Sequence, residues 1–116
     1  MRCTLLVVED PLISKFIQKV LQRKGHTVIL TGAREAAKML RSPEADIGIL
    51  LTNEPARFLE FAEHVPLLYL SSAPDSSIAS TFRSCRMLRK PFHPKELMEA
   101  VDGLAEGGSP AAGRKA

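Results

Sequence analysis

No apolar run in this sequence approaches the roughly 20 residues that cross a bilayer, so no membrane partner is expected. Cysteine is scarce: Cys3 and Cys85 are the only two. Their spacing fits neither a metal site nor a CxxC pair, and both read as buried or half-buried free thiols. Aromatic residues make up only 5% of the chain. The formal charge of +3 is spread over Arg23-Lys24, Arg83, Arg86, Arg89-Lys90 and the tail. A basic stripe interleaved with aromatics is therefore missing, which argues against direct nucleic-acid binding. The positive balance points instead to an acidic partner. His26, His64 and His93 are dispersed without ligand spacing, and internal repeats are absent. Residues 1–10 carry one basic residue and then an apolar run that ends in two acids. That run is too short for a signal-peptide core, so it reads as a strand and the expected location is the cytoplasm.

What is present is an ordinary globular balance, 45% hydrophobic and 25% charged. In 116 residues it suffices for one domain with a sizeable core. The run Ile47-Gly48-Ile49-Leu50-Leu51 lies between Asp46 and Asn53 with Pro55. It is too short for an independent helix and apolar throughout. Residues 46–52 therefore read as a strand buried on both faces, in the middle of a parallel sheet. Residues 4–8, 26–30, 67–70 and the half-polar 86–89 repeat the strand signal.

Helical periodicities separate these runs. Asp10 is a natural N-cap with Pro11 at the first helical position, and Ile13, Phe16, Ile17, Val20 and Leu21 share one face before Gly25. A shorter helix over residues 33–41 buries Ala36, Ala37 and Leu40. A brief one over 56–64 turns Phe58, Leu59 and Ala62 inward. Asp75 caps another, reaching about residue 84, with Ile78 and Phe82 on its apolar side. Pro94 opens the last, striped by Leu97, Met98, Val101 and Leu104. Five βα units with short connections require right-handed crossovers and a parallel sheet, a doubly wound α/β sandwich. Residues 1–106 form that domain, and 107–116, rich in Gly and Ala, read as a flexible tail or truncated linker.

In such folds chemistry gathers at the carboxyl ends of the strands. Here those ends offer Glu9 with Asp10, Thr52 with Asn53, Ser71 with Ser72, and Lys90. Adjacent carboxylates make an oxygen-rich site suited to Mg²⁺. A small hydroxyl beside a lysine suits a phosphoryl group.

Three segments resemble the receiver domains of two-component response regulators. Val7-Val8-Glu9-Asp10 is similar to the family's first-strand acid pair. Pro66-Leu67-Leu68-Tyr69-Leu70-Ser71-Ser72-Ala73 resembles its fourth strand, with Ser71 as the switch hydroxyl. Lys90-Pro91-Phe92-His93-Pro94-Lys95-Glu96-Leu97 resembles its Lys-Pro-Phe segment and the start of its last helix. The resemblance spans about residues 3–104. It implies a flavodoxin-like (βα)5 sandwich with strand order 2-1-3-4-5 and a part in phosphorelay signalling.

The chain departs from that pattern where the family's chemistry resides. The family's phosphoacceptor is a third-strand aspartate, five residues after an acid such as Asp46 and four before a proline such as Pro55. Leu51 stands there. A one-residue slip would offer Thr52, at the cost of turning every side chain of the strand to the other face. Its hydroxyl would also replace a carboxylate poorly in forming an acyl phosphate. Met87 occupies a position where an aromatic switch is usual, and residues 56–65 and 74–86 are short for the family's third and fourth helices.

The expectation is a pseudo-receiver that binds proteins and is not an enzyme. Glu9, Asp10, Asn53, Ser71 and Lys90 remain as remnants of a phosphorylation site. Lys90 pairs with one of the two acids, Glu9 and Asp10 hold Mg²⁺ weakly or not at all, and no cofactor is needed. The partner is a signalling protein or a second copy. It would dock on the face of the fourth helix, fifth strand and last helix, where Arg83, Arg86, Met87 and Arg89 cluster. Two rivals stay open. One is a conventional Mg²⁺-dependent receiver served by a histidine kinase. The other is an anion or small-ligand pocket at the strand ends.

Overall fold

The apolar runs pair as one parallel sheet. The computed structural model describes residues 3–107. In chain order the elements are β1 (Thr4–Val8), α1 (Pro11–Gln22), β2 (Thr27–Leu30), α2 (Ala33–Arg41) and β3 (Ile49–Thr52). A 3₁₀ segment (Pro55–Phe61), β4 (Leu67–Ser71), α3 (Ser76–Ala79), β5 (Cys85–Arg89) and α4 (Pro94–Gly107) follow. The strand order is β2-β1-β3-β4-β5 and every pairing is parallel. This is the flavodoxin-like (βα)5 arrangement. Most of the expected tail lies outside the described residues, while Gly107 closes α4. Among the described residues no helix is long and apolar enough to cross a membrane.

Both faces of β3 are covered, which explains its unbroken apolar run. Ile49 and Leu51 pack with Val7, Ile17, Leu68 and Leu97 on the side of α1 and α4. Leu50 packs with Leu6, Ala36, Phe58 and Leu67 on the side of α2 and the 3₁₀ segment. The strand starts at Ile49 rather than at residue 46 because its neighbours set its length. The β1 ladder opens at Leu5↔Ile49 and the β4 ladder at Leu50↔Leu67. Gly48 reaches β1 with a single bond, its N–H donating to Thr4 O at 2.8 Å.

Local chemistry accounts for the other differences. The third helix is 3₁₀, with a non-helical residue at Phe58 (φ −123°, ψ 23°). Three residues per turn bring Phe58 and Phe61 onto one buried face, and Leu59 turns out to 45% exposure instead of inward. Helix α3 is one turn, not the expected run to residue 84. Asp75 caps it, accepting from Ser77 N–H at 2.9 Å. Directly after it the hydroxyls of Ser80 and Thr81 donate to Ser77 O, at 2.9 and 3.2 Å, and compete with continuation. In α1, Asp10 Oδ1 accepts Leu12 N–H at 2.9 Å as the cap. Gly25, at φ 89°, turns the chain out of the helix toward β2. Phe16, expected inward, is 38% exposed at the helix edge, its ring 6.1 Å from that of Phe92.

His26 joins the two first strands. It is buried, and its Nδ1 accepts Cys3 N–H at 3.0 Å. Burial lowers its pKa from the ordinary 6.5, against the opposing pull of Asp102. The unfolded chain therefore takes up this proton first as pH falls. The stability tied to His26 is complete above about pH 6.5 and is lost below it. The urea midpoint is expected to drop as the pH falls below about 6.5, with a smaller drop in His26→Gln. Equal pH profiles for the two proteins would contradict this.

Candidate functional site

The strand ends of β1, β3, β4 and β5 meet at one edge of the sheet, as the parallel topology requires. At the end of β1 the chain leaves the sheet through Glu9 and Asp10 into the first turn of α1. The Glu9 side chain is fully buried, and its Oε2 lies 2.8 Å from Lys90 Nζ, whose side chain is 22% exposed. That contact is an ion pair without the alignment of a hydrogen bond. Glu9 Oε1 accepts Asp10 N–H at 2.8 Å, and buried Ser14 donates its hydroxyl to Glu9 O at 3.1 Å. Asp10 is exposed and its carboxylate caps α1. Lys90 thus takes Glu9 as its partner because Asp10 is committed to the helix.

The hydroxyls at the strand ends are committed too. Thr52 is fully buried and its Oγ1 accepts Glu54 N–H at 3.0 Å. Ser71 Oγ accepts Ala73 N–H at 3.0 Å. Each oxygen closes its own turn, a local side-chain bond of the kind Ser and Thr favour at strand ends. Asn53 and Ser72 are exposed. Among the described residues no group of three His, Cys, Asp or Glu side chains is placed to hold a metal ion.

The ladder registers decide which residue of β3 faces Ser71. Leu51 pairs with Val7 and Leu68, and its side chain lies in the core under α1 and α4. Thr52 pairs with Tyr69. Tyr69 and Ser71 are two apart on β4 and share a face. Thr52, rather than Leu51, therefore occupies the end of β3 on the face of Ser71. Neither position carries a carboxylate.

At the opposite end of the sheet order, Arg86, Met87 and Arg89 of β5 and Arg83 before it are all exposed, Met87 to 50%. Among the described residues none of the three arginines forms a salt bridge. Arg89 Nη1 donates to Ser72 O at 3.2 Å, and the Arg86 guanidinium lies against Gly103 of α4. Cys85, half-buried, has its thiol pushed up to about 11 by burial, which leaves it protonated and unreactive.

Sequence reasoning missed an open apolar hollow of about 510 Å³ beside Lys90, lined by Leu12, Ile13, Phe16, Ser72, Pro91 and Phe92. Its one sequence signal is Leu12, an apolar residue on the first turn of α1, off the buried stripe and 81% exposed. The tie between Tyr69 Oη and Asp75 N–H, at 3.1 Å, was also invisible, since it links residues on different elements.

No family model and no curated protein sequence matches the chain. Solved structures do match. A signal receiver domain of an HD domain-containing protein from Pseudomonas fluorescens superposes at TM-score 0.74 with 20% identity. That match covers 91% of this chain and 96% of the other. The chemotaxis response regulator CheY4 of Vibrio cholerae gives 0.73 at 18% identity, over 88% and 98% of the two chains. A response regulator receiver protein from Sinorhizobium medicae gives 0.71 at 22%, over 89% and 93%. The chain has the fold of response-regulator receiver domains.

Proposed function

We propose that the chain is an atypical receiver module of two-component or phosphorelay signalling that works by binding a protein partner, without accepting a phosphoryl group. The observation that carries this reading is the end of β3, where Leu51 is core and Thr52 is buried with its oxygen already bonded. An acyl phosphate needs a carboxylate at that end, and the neighbouring groups are occupied as well. Glu9 is neutralised by Lys90 and Asp10 caps a helix. Mg²⁺ demands several free oxygens in near-octahedral array, and this donor set falls short of that. The module acts in the cytoplasm, is not an enzyme and needs no cofactor. Its partner is a signalling protein meeting the face of α3, β5 and α4 through Arg83, Arg86, Met87 and Arg89.

Thermal melting separates the readings. A Mg²⁺ site filled to about 100 times its Kd would add about 2.7 kcal/mol of stability. The expected result is an unchanged midpoint when Mg²⁺ is added against a matched ionic-strength control. A Mg²⁺-specific rise would favour a conventional receiver. Stabilisation by phosphate or a nucleotide without Mg²⁺ would favour an anion pocket instead.

A further inference from the structure

Strand β5 ends the sheet, and its backbone directions follow from two hydrogen bonds. Leu67 N–H donates to Ser84 O at 2.9 Å, and Lys90 N–H donates to Ser71 O at 3.0 Å. Residues 84, 86, 88 and 90 thus turn their backbone groups toward β4. Alternate residues of a strand turn the other way, so Cys85, Met87 and Arg89 direct their N–H and C=O groups outward. Among the described residues those groups have no backbone partner in any other element. The covering helix on that side, α3, is a single turn. An open row of donors and acceptors at strand spacing is a template for one more strand.

The side chains select the occupant. Met87, half exposed, is an apolar anchor at the centre of the edge. Arg83, Arg86 and Arg89 surround it without carboxylate partners among the described residues. Basic residues on an edge strand repel a second copy of the same strand, because pairing would set arginine against arginine. The same residues attract an acidic strand. We propose that the outer edge of β5 takes an extended acidic segment of a partner protein as an added strand. The segment's backbone bonds to Cys85, Met87 and Arg89, its carboxylates meet Arg86 on one face of the sheet, and its apolar residues pack on Met87 on the other. This inference rests on the reading of the chain as an interaction module and specifies how the partner is held.

Amide NMR of the full chain tests it with a synthetic peptide of about six residues alternating Glu and Val. The expected result is perturbation of the amides of Cys85, Met87 and Arg89 exceeding that of Arg86 and Leu88, weakening as salt screens the charges. An alternating Lys–Val peptide is expected to leave the edge unchanged. Met87→Pro removes an outward N–H while sparing the β4 ladder and is expected to weaken binding at least about tenfold. Arg86→Glu with Arg89→Glu, both at exposed positions, is expected to do the same should the proline variant fail to fold. The proposal is overturned by no binding at about 1 mM peptide, by equal binding of the Lys peptide, or by perturbation confined to the Leu12–Phe92 hollow. None of these outcomes bears on phosphorylation, which is read separately by the mass of the protein after exposure to a phosphoryl donor.

Discussion

Leu51→Asp is expected to destabilise the protein by about 4 kcal/mol or more, a large part of the total stability of a domain this size. Two costs add. The leucine side chain leaves a core in which it is fully buried among Val7, Ile17, Leu68 and Leu97. A carboxylate then enters that core with no cation placed to meet it, since Lys90 is held by Glu9. Thr52→Asp is expected to cost less, by about 2 kcal/mol or more, because its carboxylate can inherit the Glu54 amide that Thr52 Oγ1 now accepts. Urea unfolding of the two variants measures the difference. A milder loss at Leu51 than at Thr52 would contradict the β3 register and the assignment of Thr52 to the face of Ser71.

Lys90→Met is expected to cost about 2–4 kcal/mol. Removing one partner strands the fully buried Glu9 carboxylate, whose Oε2 has only the ammonium against it. The loss falls at the lower end of what broken buried pairs show, because Lys90 is partly open to solvent and water can follow it out. Combining Lys90→Met with Glu9→Gln is expected to recover most of the stability, since the amide keeps the Asp10 N–H bond without a buried charge. Additive losses in the double variant would contradict the pairing. Glu9 and Lys90 thus serve here to tie the end of β1 to the turn after β5.

Much of this fold is legible in the sequence because its strongest signals are local. Continuous apolar runs such as Leu5 to Val8 can only be strands covered on both faces, and Asp10 with Pro11 states where α1 begins. Other features depend on partners that sequence spacing does not contain. The start of β3 at Ile49 is set by where β1 and β4 begin. Seven residues are too few to distinguish a period of 3.6 from 3.0, so the sequence points Leu59 inward and gives no sign that Phe61 is buried. The end of α3 is decided by hydroxyl bonds from Ser80 and Thr81.

The candidate site divides in the same way. Its members could be named from the strand ends, and so could the capping role of Asp10 and the pairing of Lys90 with an acid. Which of the two acids meets Lys90 could not be read, because the inward turn of Glu9 is a matter of side-chain direction at one turn. The placement of Thr52 opposite Tyr69 required the ladder itself. Leu51 and Thr52 lead to one conclusion from different sides, because neither supplies a carboxylate.

Intact mass spectrometry after incubation with Mg²⁺ and a small acyl-phosphate donor tests the central claim most directly. The expected result is an unmodified mass at every donor concentration, for the protein and for Thr52→Ala alike. Any added phosphoryl group on the protein would contradict the account: a labile one would mark a carboxylate acceptor, and a stable one lost in Thr52→Ala would trace the acceptor to the end of β3.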